Sequence, residues 1–516
     1  MRKSRLLLVL PFAPLVGAAC FSPGSGGNGP NTSFDSGIAE FDGTADAEPM
    51  DGSPVEAAAD VGLEAAPIVD ASTDVLVEAG PQPITVVVVG NSGPESGISV
   101  VWGDATGAVV GNAVQTTNGT ATTLLPNVTM ATVLIGTPGN PSLYTAMGLQ
   151  PGNTVYFADT SSSSTPTVNV TALPPSPPFD AGVFDQSLTI GGCNQYFPNG
   201  LPYTLPLNGF GHPCIGLQAM GSSFVPALPS LVQAYDANFD VLGFAYVSQP
   251  LLSLMSDDVG LLDYSITGSW STATTQQLVD VTQPADASFP TNVTYSEIFD
   301  GLLTPTLQRS PPADAGANAS TVATTHVGIA QAVQLEGLVF TGGMGDENIA
   351  VVSQSAPPSA SGTVTLDTSP ATTVPGITNL TVTGTTQPVF GWTIASGDLH
   401  QATGIVASMS WYVMLDGGSF GSGSWTLVSP GTTASSLTAP QLPASLAAYA
   451  PAAGANTQPD QIAVLYGQTA MPSYASFLPI ASFIQQGPCN LSAPVMPPMT
   501  GPGTAMLLVI QSGDGC

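Results

Sequence analysis

The sequence predicts a mainly β protein: a signal peptide and a disordered acidic stalk, followed by a β-sandwich and one or two further β-sandwich-type domains with short helices. Three observations predict it. From Ile84 onward, β-branched runs such as Ile84-Thr85-Val86-Val87-Val88-Val89 are closed by turn formers such as Gly90-Asn91-Ser92-Gly93-Pro94. Asn118-Gly119 stands between β-prone segments, a strong short-range hairpin signal. Beyond the stalk the chain is mostly Ser, Thr, Gly, Ala, Val and Pro with few charges, which is the look of an extracytoplasmic β protein.

The first element is the export signal. Met1-Arg2-Lys3-Ser4-Arg5 is a short cationic segment, and Leu6 to Val16 is an apolar stretch too short to span a bilayer permanently. Gly17-Ala18-Ala19 and then Cys20 follow. This segment resembles the lipobox of bacterial lipoproteins, with Gly17 where the pattern usually carries Leu. The resemblance implies that Cys20 receives a diacylglyceryl group and becomes the mature N-terminus. Gly17 and Ala19 also satisfy the rule for an ordinary secretory signal, which would leave Cys20 as a bare thiol. Cysteine arithmetic favours the lipoprotein: of five cysteines, Cys193, Cys214, Cys489 and Cys516 remain, an even set for disulfides in an oxidising compartment. Phe21 after the cysteine, by resemblance to enteric lipoproteins, implies the outer membrane of a Gram-negative bacterium, facing either side.

Charge excludes several chemistries. The formal net charge is -31, and Arg309 is the one cationic side chain after the signal. Without a mature lysine neither a P-loop nor a Schiff-base cofactor site can be built. One arginine cannot displace the counter-ions of a nucleic acid, nor hold an anionic lipid surface. No cofactor or metal is expected, although divalent cations are the favoured counter-ions. Twelve of the 35 Asp and Glu lie between Asp35 and Glu78. Residues 20–81 therefore read as a lipidated cysteine and a disordered linker with an r.m.s. reach of roughly 40–45 Å.

The next elements are strands. Gly97 to Trp102, the tight turn Asp104-Ala105-Thr106-Gly107, the Asn118-Gly119 hairpin, Leu124-Leu125 and Ala131 to Ile135 give at least five. Their order, with Trp102 and Asn118-Gly119 as landmarks, resembles bacterial Ig-like and carboxypeptidase-regulatory-like (transthyretin-like) modules. The resemblance implies an Ig-like β-sandwich over 82–172, a spacer or adhesive element without chemistry of its own. Pro174-Pro175-Ser176-Pro177-Pro178 marks a linker over 173–186. A β-rich domain is expected over 187–361, where Leu231 to Tyr235 and Val241 to Val247 read as a hairpin. A second sandwich, loosely resembling fibronectin III, is expected over 362–516, either separate or one body with 187–361. Leu442 to Tyr449 is the best short helix, with Pro443 in its opening turn.

Several motifs touch chemistry, each with a plainer reading beside it. Gly417-Gly418-Ser419-Phe420-Gly421 matches the G-x-S-x-G of serine hydrolases, with His400 as the nearest base, but a strand rather than a helix follows it, so a hairpin loop is preferred. Cys193, His212 and Cys214 would make three quarters of a zinc site, and a disulfide closing about twenty residues, worth roughly 3 kcal/mol, is preferred. Cys489 and Cys516 would staple the C-terminal tail; three connectivities are open. Asp236-Ala237-Asn238-Phe239-Asp240 begins like a calcium loop but has Val241 and Val247 where Gly and Glu belong, so it reads as a hairpin turn. Asp257-Asp258 and Asp346-Glu347 are carboxylate pairs of a kind used in glycoside hydrolysis, read here as solvated loops. His326 stands in an apolar stretch as a lone polar group with no partner. Trp102, Trp270, Trp392, Trp411 and Trp425 would serve as a sugar-stacking platform if exposed in a plane, and as core if not.

The reading is a lipid-anchored cell-envelope protein of non-enzymatic binding, adhesion or scaffolding type. Its partners are the membrane through Cys20 and an envelope protein or glycan. No catalytic residue is assigned. The alternatives are an envelope hydrolase with its site in 187–516, and a carbohydrate-binding surface protein.

Overall fold

A computed structural model of the chain describes residues 82–90, 93–159, 167–172, 183–190, 193–196, 203–206, 208–209, 212–213, 227–237, 240–250, 261–282, 292–299, 302–309, 318–340, 348–358, 363–369, 375–395, 397–414, 420–481, 484, 499 and 502–511. The fold is mainly β, built from several sheets, with the 3-10 turn Ala444–Tyr449 and the short α-helix Tyr474–Phe477 as its longest helical stretches among the described residues. The signal segment, Cys20 and the stalk lie outside the described residues.

Its frame is a sheet of 12 described strands. From edge to edge it runs Leu302–Arg309, Asn292–Phe299, Ala332–Phe340, Asn348–Ala356, Gly503–Gln511, Asn456–Tyr466, Gly404–Met414, Phe420–Ser429, Asn140–Ala146, Met130–Thr137, Ser99–Gly103 and Val114–Gln115. Strands in the middle read as unbroken apolar runs, Ile462-Ala463-Val464-Leu465 and Met506-Leu507-Leu508-Val509-Ile510, because both faces are buried. Ile462, Val464, Met506, Leu508 and Ile510 turn to one core; Ala463, Leu465, Leu507 and Val509 turn to the other.

Each core has its own cover. On one face Ile84–Gly90, flanked by Thr120–Thr123 and in parallel by Thr154–Asp159, supplies Val86, Val88, Val155 and Phe157. Phe477 and Leu478 extend this cover. The opposite face is covered by two three-stranded sheets. One carries Val279, Val281, Ala323, Val364 and Leu366, and the other carries Ile377, Phe390, Trp392 and Leu437. This is sandwich packing on both sides of one shared layer.

The strands expected to close a sandwich over 82–172 therefore share their second sheet with the rest of the chain. Asn140–Ala146 pairs in parallel with Phe420–Ser429, Ser142 against Ser424 and Ala146 against Val428. Thr167–Ala172 pairs with Tyr203–Pro206 and Leu261–Ser265, across the proline-rich stretch. The described residues from 82 to 511 fall in one compact unit.

Local sequence explains the turns that hold this register. Asn118 and Gly119 both have positive φ, 49° and 74°, as a two-residue hairpin of matching twist requires. A Cβ on Gly119 would stand 2.8 Å from the Val88 carbonyl oxygen, so the position admits glycine alone. Asp104 Oδ1 accepts from the Thr106 and Ala108 backbone N–H groups and from the Thr106 hydroxyl, closing the Asp104–Gly107 turn. Those bonds hold the Asp104 carboxyl below the usual carboxylate range. The expected helix at Leu442 to Tyr449 is the 3-10 turn Ala444–Tyr449, with Pro443 at its N-cap.

Candidate functional site

Two groups of polar residues stand out, one exposed and one buried. The exposed group lies where four neighbouring strands of the large sheet run past their cover. Alternation puts Ser410 and Tyr412 on the same face as core residue Val406; likewise Ser422 and Ser424 share a face with Val428, and Asn140 and Ser142 with Ala146. Asn456 and Gln458 join from the fourth strand, opposite Tyr412 and Ser410. One face of the sheet thus changes along its length from apolar core to a ledge of hydroxyls and amides.

Hydrogen bonds between strands order this ledge. Ser422 Oγ donates to Asn140 Oδ1 at 3.2 Å, and Ser424 Oγ to Ser142 Oγ at 3.4 Å. Gln458 Nε2 donates to Ser410 Oγ at 3.3 Å, and Ser410 Oγ donates to Asp460 Oδ1 at 2.7 Å. The Asn456 amide donates to the Tyr412 hydroxyl. Asp460 is buried where the pairing of Ser408 and Met409 with Gln461 and Pro459 slips by one residue. Burial pushes its carboxyl up, and the Ser410 bond pulls part of the way back. An open groove of about 380 Å³ runs over Asn140, Ser142, Ser410, Tyr412, Ser422 and Ser424, within the size range of small-ligand sites. Tyr412 is 47% exposed and Met414 69%, so a ring and a thioether stand beside the hydroxyls.

The buried group corrects the expectation for His326. Rather than lacking a partner, its Nδ1 meets Glu297 Oε2 at 2.5 Å, and its backbone N–H donates to Glu297 Oε1 at 2.7 Å. Nε2 faces the Gln233 amide at 3.2 Å, and the Phe244 and Phe299 rings stand edge-on at 4.7 and 6.1 Å. Both His326 and Glu297 are 0% exposed. The chain continues outward through Tyr235, whose hydroxyl donates to Gln233 Oε1 at 3.0 Å and meets Ser187 Oγ at 3.0 Å. An imidazole with both nitrogens engaged and no exposed surface is built as a structural pair.

Beside that pair, Tyr295 Oη donates to Gln277 Oε1 at 3.0 Å and lies 2.6 Å from Thr325 Oγ1. Thr325 Oγ1 donates to the same amide oxygen at 3.3 Å. Gln277 Nε2 and Thr275 Oγ1 are buried without a hydrogen-bond partner. An unmet buried donor costs about 1–3 kcal/mol.

The remaining sequence candidates fall as follows. Trp102, Trp392, Trp411 and Trp425 are buried, and Trp270 is half-buried, so no coplanar exposed tryptophan platform exists. Asp236 Oδ1 accepts from the Asp240 N–H at 2.9 Å, the bond of a hairpin turn between Ala227–Tyr235 and Val241–Pro250. His400 bonds to Asp398, two residues away in an exposed turn, and that bond holds the Asp398 carboxyl down. Ser419 lies outside the described residues, but the strands flanking it are direct antiparallel partners, Met414 opposite Phe420, as the hairpin reading expects. The Cys193 backbone opens a strand paired with Asp185–Ile190, while its side chain and those of His212, Cys214, Cys489 and Cys516 lie outside the description, as do Asp257, Asp258, Asp346 and Glu347. Among the described residues no group of three or more His, Cys, Asp or Glu side chains could hold a metal. No described helix is long and apolar enough to cross a membrane.

No family model matches the chain, and no curated protein does. Solved structures give distant likenesses. The Bacillus anthracis TIE protein is 7% identical over 56% of this chain, with a TM-score of 0.13, and the match spans 50% of that protein's length. A DUF3823 family protein from Parabacteroides merdae is 8% identical over 37% of this chain and 88% of its own, also at 0.13. A streptococcal ancillary pilin is 10% identical over 55% of this chain and 99% of its own, at 0.12. TM-scores this low show neither a shared fold nor a shared activity.

Proposed function

We propose that this chain is a lipid-anchored cell-envelope protein of non-enzymatic binding or adhesion type, and that it meets its ligand on the ledge from Asn140 to Gln458. The observation that carries this reading is the ledge itself: ordered hydroxyls and amides across four strands, around an open groove with a half-exposed tyrosine. Rigid strands place these groups, which favours a preformed site. The ledge presents uncharged donors and acceptors, and the mature chain holds one cation, Arg309. That chemistry suits a neutral, hydroxyl-rich ligand such as a glycan, and it does not suit an anion.

The anchor follows from the lipobox-like segment ending at Cys20, with the acidic stretch to residue 81 as the spacer that lifts the body off the membrane. His326, sealed in the core, is not placed to serve the hydrolase alternative as a base.

Two measurements test the reading. Mature protein extracted from membranes carries a diacylglyceryl mass increment that the Cys20→Ala variant lacks; a plain polypeptide mass beginning at Cys20 would remove the anchor. The mature chain binds neutral glycans of the envelope, and Ser422→Trp, which fills the groove, abolishes the binding. Binding unaltered by that substitution would remove the ledge.

A further inference from the structure

Gln277 and Thr325 belong to adjacent antiparallel strands, Thr274–Thr282 and Asn318–His326, where Gln277 stands opposite Ala323 and Thr275 opposite Thr325. The two side chains meet on the inner face, with Gln277 and Thr325 each 1% exposed. The Thr325 hydroxyl lies 3.3 Å from the Gln277 carboxamide oxygen, and Tyr295 Oη touches both, at 2.6 and 3.0 Å. The one polar atom of this carboxamide left without a partner is its nitrogen.

We propose that Thr325 and Gln277 form an internal ester cross-link. Thr325 Oγ1 attacks Gln277 Cδ; the Oγ1–Cδ bond forms and the Cδ–Nε2 bond breaks. The threonine hydroxyl proton ends on the leaving nitrogen, so that ammonia departs. No oxidant, reductant or co-reactant is consumed.

The site supplies what such acyl transfer needs. A hydroxyl and an acyl group held at contact in a closed site react as one unit rather than as two encounters. Tyr295 donates to the amide oxygen, where negative charge gathers in the tetrahedral intermediate. Burial keeps Tyr295 protonated by pushing its hydroxyl far up, so it remains a donor throughout. Its contact with Thr325 Oγ1 holds the nucleophile against the amide, and the threonine proton passes to the leaving nitrogen as the Cδ–Nε2 bond breaks. The ionisable pair Glu297–His326 lies beside these groups, Glu297 two residues from Tyr295 and His326 next to Thr325. Water, which would hydrolyse the ester, is excluded from the site. The reaction expels the very nitrogen that the fold leaves unpaired.

The product would tie two strands together covalently, a staple suited to a surface protein under load. It stands independently of what the ledge binds. The test is the intact mass of the reduced, denatured mature chain beside Thr325→Val and Gln277→Leu variants. The wild type is expected about 17 Da below its sequence mass, the weight of one ammonia. Both variants are expected at full mass, and one cross-linked peptide pair containing residues 277 and 325 is expected after digestion, separated by hydroxylamine. A wild type at full mass overturns the proposal without reference to any variant's folding. A deficit that survives in Thr325→Val also overturns it, by placing the lost ammonia elsewhere.

Discussion

Trp425 donates its indole N–H to Thr145 Oγ1 across 2.9 Å, joining residues 280 apart in the chain inside the core. Thr145 Oγ1 in turn lies 2.9 Å from Thr132 Oγ1. This bond crosses the parallel seam between Asn140–Ala146 and Phe420–Ser429, where the N-terminal strands enter the large sheet.

Thr145→Val keeps the shape and deletes the acceptor. It leaves the Trp425 N–H and the Thr132 hydroxyl unmet in a dry site, and the expected loss is about 1–3 kcal/mol in urea unfolding. The transition stays single because both strands belong to one sheet. An early, separate unfolding of residues 82–172 would show instead that the N-terminal strands stand alone.

Gly404 carries no Cβ because the Phe477 ring lies there: an added Cβ would fall 2.0 Å from its Cδ1. Gly404→Ala is expected to cost about 1–3 kcal/mol as overpacking. Phe477→Leu in the same chain should recover part of that loss, since it opens the space. Equal losses for the single and double variants would refute the contact.

Glu297→Ala strips the buried partner from His326. Removing one member of a sealed pair is expected to cost about 3–5 kcal/mol, well above a surface substitution. Thermal unfolding of Glu297→Ala beside Asp398→Ala, whose pair with His400 is exposed, makes the comparison directly. Similar small shifts for both would show that His326 does not depend on Glu297.

Asp460 gives a pH signature. Its folded carboxyl is raised above the usual carboxylate value, chiefly by burial, so the native state holds its proton more tightly than the unfolded chain. Stability from this group is therefore present at low pH and lost as pH rises from the unfolded carboxylate value through the folded one. Asp460→Asn, which can still accept from Ser410, should flatten that decline and raise stability at neutral pH. A slope unchanged in the variant would assign it to other carboxylates.

Much of the frame was legible before the structure. Asn118-Gly119 needs positive φ twice and announces its own hairpin, and the hairpin read from Leu231 to Tyr235 and Val241 to Val247 stands in the structure. The pairing of His326 with Glu297, 29 residues earlier, was not legible, because it depends on how two different sheets meet. Alternating Ser and Tyr at 410, 412, 422 and 424 looks like an ordinary solvated face until the registers place four such strands side by side. The short helix Tyr474–Phe477 has a capping box made of two serines, Ser473 and Ser476, rather than a serine and a glutamate, and its signal is correspondingly faint.

Binding of the full mature chain to a panel of neutral and anionic envelope glycans, measured for wild type, Tyr412→Ala and Ser422→Trp at matched stability, tests the central claim most directly. The account predicts binding to neutral glycans, little dependence on salt, roughly tenfold weakening in Tyr412→Ala from the lost ring contact, and none detectable in Ser422→Trp. Wild-type binding that persists in both variants, or that favours anionic glycans and falls with salt, would contradict it.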